Sequence, residues 1–164
     1  MSTYVGFAVN LFHFAYRLAS TLRGLYWRMA RPHVYGAKAM AFDDDGRLLL
    51  VRHSYGKSDL YMLPGGAIKP GEAAAAAATR EIAEETGCRL RDVKLFGRYL
   101  DTSKGARNHI HLCTGRASDT PRADGREIVE ARFFALDALP ANLSDATARR
   151  IADWRAGAAR DRQW

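Results

Sequence analysis

The sequence predicts an α/β fold of the α+β kind, with a mixed, mostly non-parallel sheet and helices packed on it. Three observations carry this reading. Short apolar runs bounded by turn residues recur along 34–63 and again along 93–136. A single strongly helical stretch, Ala73–Glu85, separates the two groups of strands. No apolar run reaches the roughly 18 residues that a membrane-crossing helix needs. With 164 residues, 48% hydrophobic and 26% charged, the chain has the size and composition of one soluble domain, which excludes disorder as its main state.

The elements follow in order. Residues 4–31 are expected to form a basic amphipathic helix. Leu11, Ala15, Leu18, Leu22, Leu25 and Met29 make an apolar stripe at helical spacing, Arg17, Arg28 and Arg31 fall on the opposite face, and Pro32 stops the run. The stripe is expected to dock on the body of the domain or to pair with a second copy in a homodimer. Binding to a membrane surface is the less favoured use. Residues 1–32 are accordingly set apart from a catalytic domain over 33–164. Residues 34–42 and 47–53, joined by Asp43-Asp44-Asp45-Gly46, read as a hairpin, and Leu60–Leu63 reads as a short strand ending at Pro64-Gly65-Gly66. Gly87 is placed to cap the alanine-rich helix. Strands are expected near 93–100, 108–117 and 128–136, then a helix near 145–158 with Ser144 as its N-cap.

Charge is unevenly spread. The net charge is +7, yet residues 1–42 hold five basic and no acidic side chains, while residues 43–145 are close to neutral. The two cysteines, Cys88 and Cys113, make neither a disulfide framework nor a zinc pattern, so a reducing, cytoplasmic setting is expected.

The chemistry is concentrated in residues 65–88. Glu81, Glu84 and Glu85 stand at i, i+3 and i+4, which puts three carboxylates on one helix face. They repel one another and sit in the last turns, where the helix dipole disfavours anions. A helix selected for stability alone would avoid this, whereas a bound cation removes both penalties. Carboxylates select hard ions, Mg²⁺ or Mn²⁺ first. Arg80, four residues before Glu84, can fix that carboxylate. Glu72 is too far along the chain to join the cluster and is expected to brace the loop or to reach a metal-bound water.

The segment is similar to the Nudix box at every fixed position: Gly66, Glu72, Arg80-Glu81, Ile82, Glu84-Glu85, Gly87 and apolar Cys88. The chain is therefore identified as a member of the Nudix hydrolase family. The resemblance implies an α/β/α sandwich around a mixed sheet, to which the N-terminal helix is an addition. It implies metal-dependent cleavage of the pyrophosphate bond in a nucleoside diphosphate linked to another group. It implies Glu81, Glu84, Glu85 and the Gly65 carbonyl as metal ligands, and Arg80 as the residue that orients the glutamates. One glutamate would be the general base, and which one stays open. A further acidic ligand is expected from the loop before a late strand, and Glu127 is chosen over Glu130. Arg52, His53, Tyr55 and Lys57 lie in the loop that borders the cleft, and Arg52, Tyr55 and Lys57 are the expected substrate contacts. The alternative is a nucleotide-binding regulator of the same fold without turnover. His109, His111 and Cys113 alternate along a strand and are read as the less buried face of a sheet rather than as a metal site.

Overall fold

A computed structural model describes residues 30, 32–54, 59–103, 105–158 and 162–164. The predicted N-terminal helix, with its dimer and membrane readings, lies outside the described residues, as do Tyr55 and Lys57.

Six strands form one mixed sheet: β1 (His33–Phe42), β2 (Leu48–His53), β3 (Arg91–Asp101), β4 (Arg107–Arg116), β5 (Ile128–Phe134) and β6 (Arg162–Gln163), in the order β5-β2-β1-β4-β3-β6. β1 runs parallel to β4, and β3 parallel to β6; the other pairs are antiparallel. Helix α1 (Ala74–Thr86) covers one face and α2 (Asp145–Arg155) the other, as the α/β/α sandwich requires.

Side-chain alternation along β1 explains the two layers. Ala37, Ala39 and Ala41 point to α1, where they meet Ala77, Ala78 and Ile82, all fully buried. Met40 points the other way, into a core with Leu48, Leu50, Leu63, Tyr99, Leu112 and Ile151. Alanine facing alanine lets α1 lie close on the sheet, which is the packing reason for the alanine run. Gly87 closes α1 in the left-handed conformation at φ 70°, its N–H donating to the Ala83 carbonyl. Ser144 caps α2 by accepting from the Thr147 amide. Helix α2 stops at Arg155 rather than near 158, because Gly157 turns the chain at φ 62°.

The expected strand over Leu60–Leu63 is corrected. Tyr61 and Met62 make only isolated bridges, to Leu143 and Val51. The segment is instead a wedge. β1 and β2 pair at Phe42 and Leu48 and then separate, and residues 62–66 fill the gap. Val51 and Met62 exchange both main-chain bonds, while the Ala39 and Ala37 amides donate to the Pro64 and Gly66 carbonyls at 3.0 and 2.9 Å. Pro64 offers no N–H, so no regular ladder continues through it. β6 was not anticipated; a two-residue strand carries no periodicity.

Candidate active site

The wedge places Pro64-Gly65-Gly66 in the sheet, directly against the C-terminal half of α1. Gly65 has φ 130°, and a Cβ there would run into the Ala37 carbonyl oxygen. At Gly66 the missing side chain leaves room for the Glu81 carboxylate: a Cβ would lie 2.5–2.7 Å from its three terminal atoms. These two glycines therefore let the loop and the glutamate helix approach as they do.

Arg80 organises the carboxylates. Its Nε and Nη2 donate to both oxygens of Glu72 at 2.9 Å, a bidentate pair. Nη1 donates to Glu81 at 2.7 Å and to Glu84 at 3.2 Å, and Nη2 also donates to the Ala67 carbonyl at 2.9 Å. One guanidinium thus ties two helix glutamates to the loop. Glu72 braces that loop, since it also accepts from the Lys69 amide at 2.9 Å. The Arg80 bonds, with the Lys69 amide second, hold its carboxyl down at about 2. Glu85 lies on the buried side, 7% exposed, and accepts from the Gly65 amide at 2.9 Å. Burial pushes its pKa up; the Lys38 charge and the Gly65 amide oppose this, and Glu81 and Glu127 add to it.

Glu127 is therefore close enough to Glu85 to be felt by it. Its loop is held by Asp124, whose Oδ1 accepts from the amides of Arg126, Glu127 and Ile128 at 2.8–3.1 Å. Glu130 is differently employed: it takes Arg52 at 2.9 Å and the Tyr61 hydroxyl. Arg52, an expected substrate contact, is accordingly bound to Glu130 across β2 and β5 and lies 5.6 Å over the Tyr61 ring.

One residue at the site, Lys38, escaped the sequence reading, while His53 belongs with Arg52, Tyr55 and Lys57 to the loop expected to border the cleft. Lys38 of β1 donates from Nζ to the Gly65 carbonyl at 2.6 Å. His53, at the end of β2, is 7% exposed; burial, then the Lys38 charge, lowers its pKa to about 4. No local pattern marks Lys38, because only the fold brings it to the loop.

Among the described residues no three acidic, histidine or cysteine side chains converge on one point. Arg80 holds Glu81 and Glu84 aside, and the Gly65 carbonyl points at Lys38. The donor set nevertheless fits a hard divalent ion: helix carboxylates and a main-chain carbonyl, with two side-chain cations already drawn into the same place.

The NUDIX domain profile matches residues 32–154. The chain therefore belongs to the Nudix hydrolase family. It is 29% identical over 140 residues to the ADP-ribose pyrophosphatase of Methanocaldococcus jannaschii, covering 82% of each chain. It is 26% identical over 109 residues to the NAD-capped RNA hydrolase NudC of Vibrio atlanticus, spanning 66% of this chain and 40% of that protein. The crystal structure of the MutT NUDIX hydrolase from Burkholderia pseudomallei superposes with a TM-score of 0.64 at 29% identity, over 73% of this chain and 96% of that one.

Proposed function

We propose that the protein is a metal-dependent pyrophosphohydrolase that cleaves the P–O–P bond of a nucleoside diphosphate joined to a second group. The observation that carries this is the Arg80 fork, which gathers Glu72, Glu81 and Glu84 beside the buried Glu85 and the Gly65 carbonyl. Water attacks one phosphorus, the bridging P–O bond breaks, and two phosphorylated products leave. Glu81, Glu84, Glu85, Glu127 and the Gly65 carbonyl would hold Mg²⁺ or Mn²⁺. That ion supplies charge neutralisation on the diphosphate and a more acidic bound water. Arg80 keeps the carboxylates oriented; Glu72 keeps Arg80 in place. Lys38 supplies a further positive charge toward the phosphates once it leaves the Gly65 carbonyl. Tyr55 and Lys57 remain proposed substrate contacts, and Arg52 contributes only by exchanging Glu130 for substrate. The division at residue 32 is kept as a proposal, supported by the profile match starting there. Cytoplasmic placement is supported by two free, buried thiols, Cys88 and Cys113.

The relatives' names span NAD-capped RNA and ADP-ribose, so the test is a panel. ADP-ribose, NADH, a dinucleoside polyphosphate, a nucleotide sugar and an oxidised nucleoside triphosphate are incubated with Mg²⁺ or Mn²⁺, and products are separated by chromatography. At least one should yield the two phosphorylated halves, with excess EDTA abolishing the reaction. Cleavage of none, or turnover that survives EDTA, contradicts the proposal.

A further inference from the structure

Helix α1 covers the sheet over Ala37–Ala41, and at the other end of the same face no described helix packs on β1, β4 and β3. Cross-strand register builds two rows there. Tyr35, His109 and Leu100 lie side by side, and one step along come Ala37, His111 and Arg98. The His109 ring is parallel to Tyr35 within 17° at 4.9 Å between centroids, and to His33 within 13° at 5.0 Å. His33 and His109 also share a ring-nitrogen hydrogen bond of 2.8 Å. The result is a short stack of parallel rings at the edge of a groove of ≈ 680 Å³ that Tyr35, His109, Arg98 and His111 line. Tyr35 is 50% exposed. A second hollow of ≈ 440 Å³ shares Tyr35 and His111 and reaches Lys69 and Glu72. The groove is lined by none of Gly65, Glu81, Glu84, Glu85 and Glu127.

From this geometry we propose that the groove is a second nucleotide-binding site, in which a base extends the ring stack on the exposed Tyr35 and a phosphate meets Arg98. Several features fit that ligand. Parallel aromatic rings favour a planar π-system. The aromatic and Arg98 rows are two residues apart along the strands, about 7 Å, a separation a nucleoside monophosphate can bridge. Arg98 has no carboxylate partner among the described residues, and the acidic residue that lines the second hollow, Glu72, is already neutralised by Arg80. The volume lies in the range of small-molecule sites. His109 stays neutral more readily than an ordinary histidine: burial, then His33, His111 and Arg107, lowers its pKa.

The test is calorimetric titration of AMP into the full chain in EDTA, so that binding is measured without turnover. Saturable one-to-one binding is expected. Adenosine and ribose 5-phosphate, each carrying half of the ligand, should bind at least fivefold more weakly than AMP. Tyr35→Ala and Arg98→Met should each raise Kd at least tenfold with an unchanged melting temperature; Tyr35→Phe should not. Glu84→Gln should leave AMP binding as it was. No saturable AMP binding, or equal binding by a folded Tyr35→Ala or Arg98→Met variant, overturns the proposal. So does a changed AMP affinity, in either direction, in Glu84→Gln, which would place AMP at the carboxylates. None of these results bears on hydrolysis, which the substrate panel reads separately.

Discussion

Replacing Gly66 by alanine adds one methyl group and no charge, yet it should disable the site. The added Cβ would stand 2.5 Å from Glu81 Oε2, 2.6 Å from its Cδ and 2.7 Å from Oε1. To regain an ordinary contact of 3.4 Å the carboxylate must withdraw by about 0.9 Å. The atoms that give way are the free end of a flexible side chain, so the cost to the fold is small. Backbone strain adds nothing, since Gly66 is not among the positive-φ glycines. The cost to the chemistry is large, because displacing a positioned group by about 1 Å can lose on the order of a hundredfold in rate. That corresponds to about 2.7 kcal/mol in the barrier. The assay is kcat on the best panel substrate with Mg²⁺, alongside the melting temperature. Gly65→Ala is the contrast: its Cβ meets the backbone of Ala37 and Lys38, and its φ of 130° disfavours any side chain, so that variant should lose stability as well as activity. A Gly66→Ala enzyme with near-native kcat would refute the idea that Glu81 must occupy the space above Gly66.

Arg80→Lys keeps the charge but loses the planar fork, which no ammonium can replace across Glu72, Glu81 and Glu84. Activity should fall by at least tenfold and the melting temperature by a few degrees, read by kinetics and thermal unfolding; full activity would show the fork to be dispensable. His53 makes the fold sensitive to acid. Its folded pKa of about 4 lies below the ordinary 6.5, so between those values the unfolded chain takes up a proton that the native one refuses. Stability therefore falls as pH drops from 6.5 toward 4, by on the order of 3 kcal/mol from this group. Denaturant melts of wild type and His53→Leu across that window should show the wild type losing more stability; parallel curves would place the acid sensitivity elsewhere.

The parts legible in the sequence were those written in local spacing. Glu81, Glu84 and Glu85 share a face because of helical period, and Arg80 reaches Glu84 for the same reason. Gly87 and Ser144 announce helix ends through their own chemistry. The parts that were not legible depend on register between distant strands. Lys38 reaches the Gly65 carbonyl only because residues 62–66 wedge between β1 and β2, and nothing around Lys38 signals that. The histidines illustrate the same limit. His109 and His111 were grouped with Cys113 on one strand face, but Cys113 is buried under α1 while both histidines lie past the helix, beside Tyr35. Arg52 looked available in the sequence, and its partner Glu130 is 78 residues away.

The most direct test of the carboxylate site is the turnover of Glu84→Gln with Mg²⁺ on the best panel substrate. Glu84 is 56% exposed, and the hydrogen bond described for its side chain is the 3.2 Å one from Arg80, so the substitution preserves shape and leaves the core untouched. In metal-free buffer the helix should be no less stable, because one like-charge repulsion is relieved. The prediction is a folded protein with an unchanged melting temperature in EDTA and a kcat lowered at least a hundredfold, about 3 kcal/mol in the barrier. A folded Glu84→Gln variant with near-native kcat would contradict the assignment of the glutamate face of α1 as the catalytic centre.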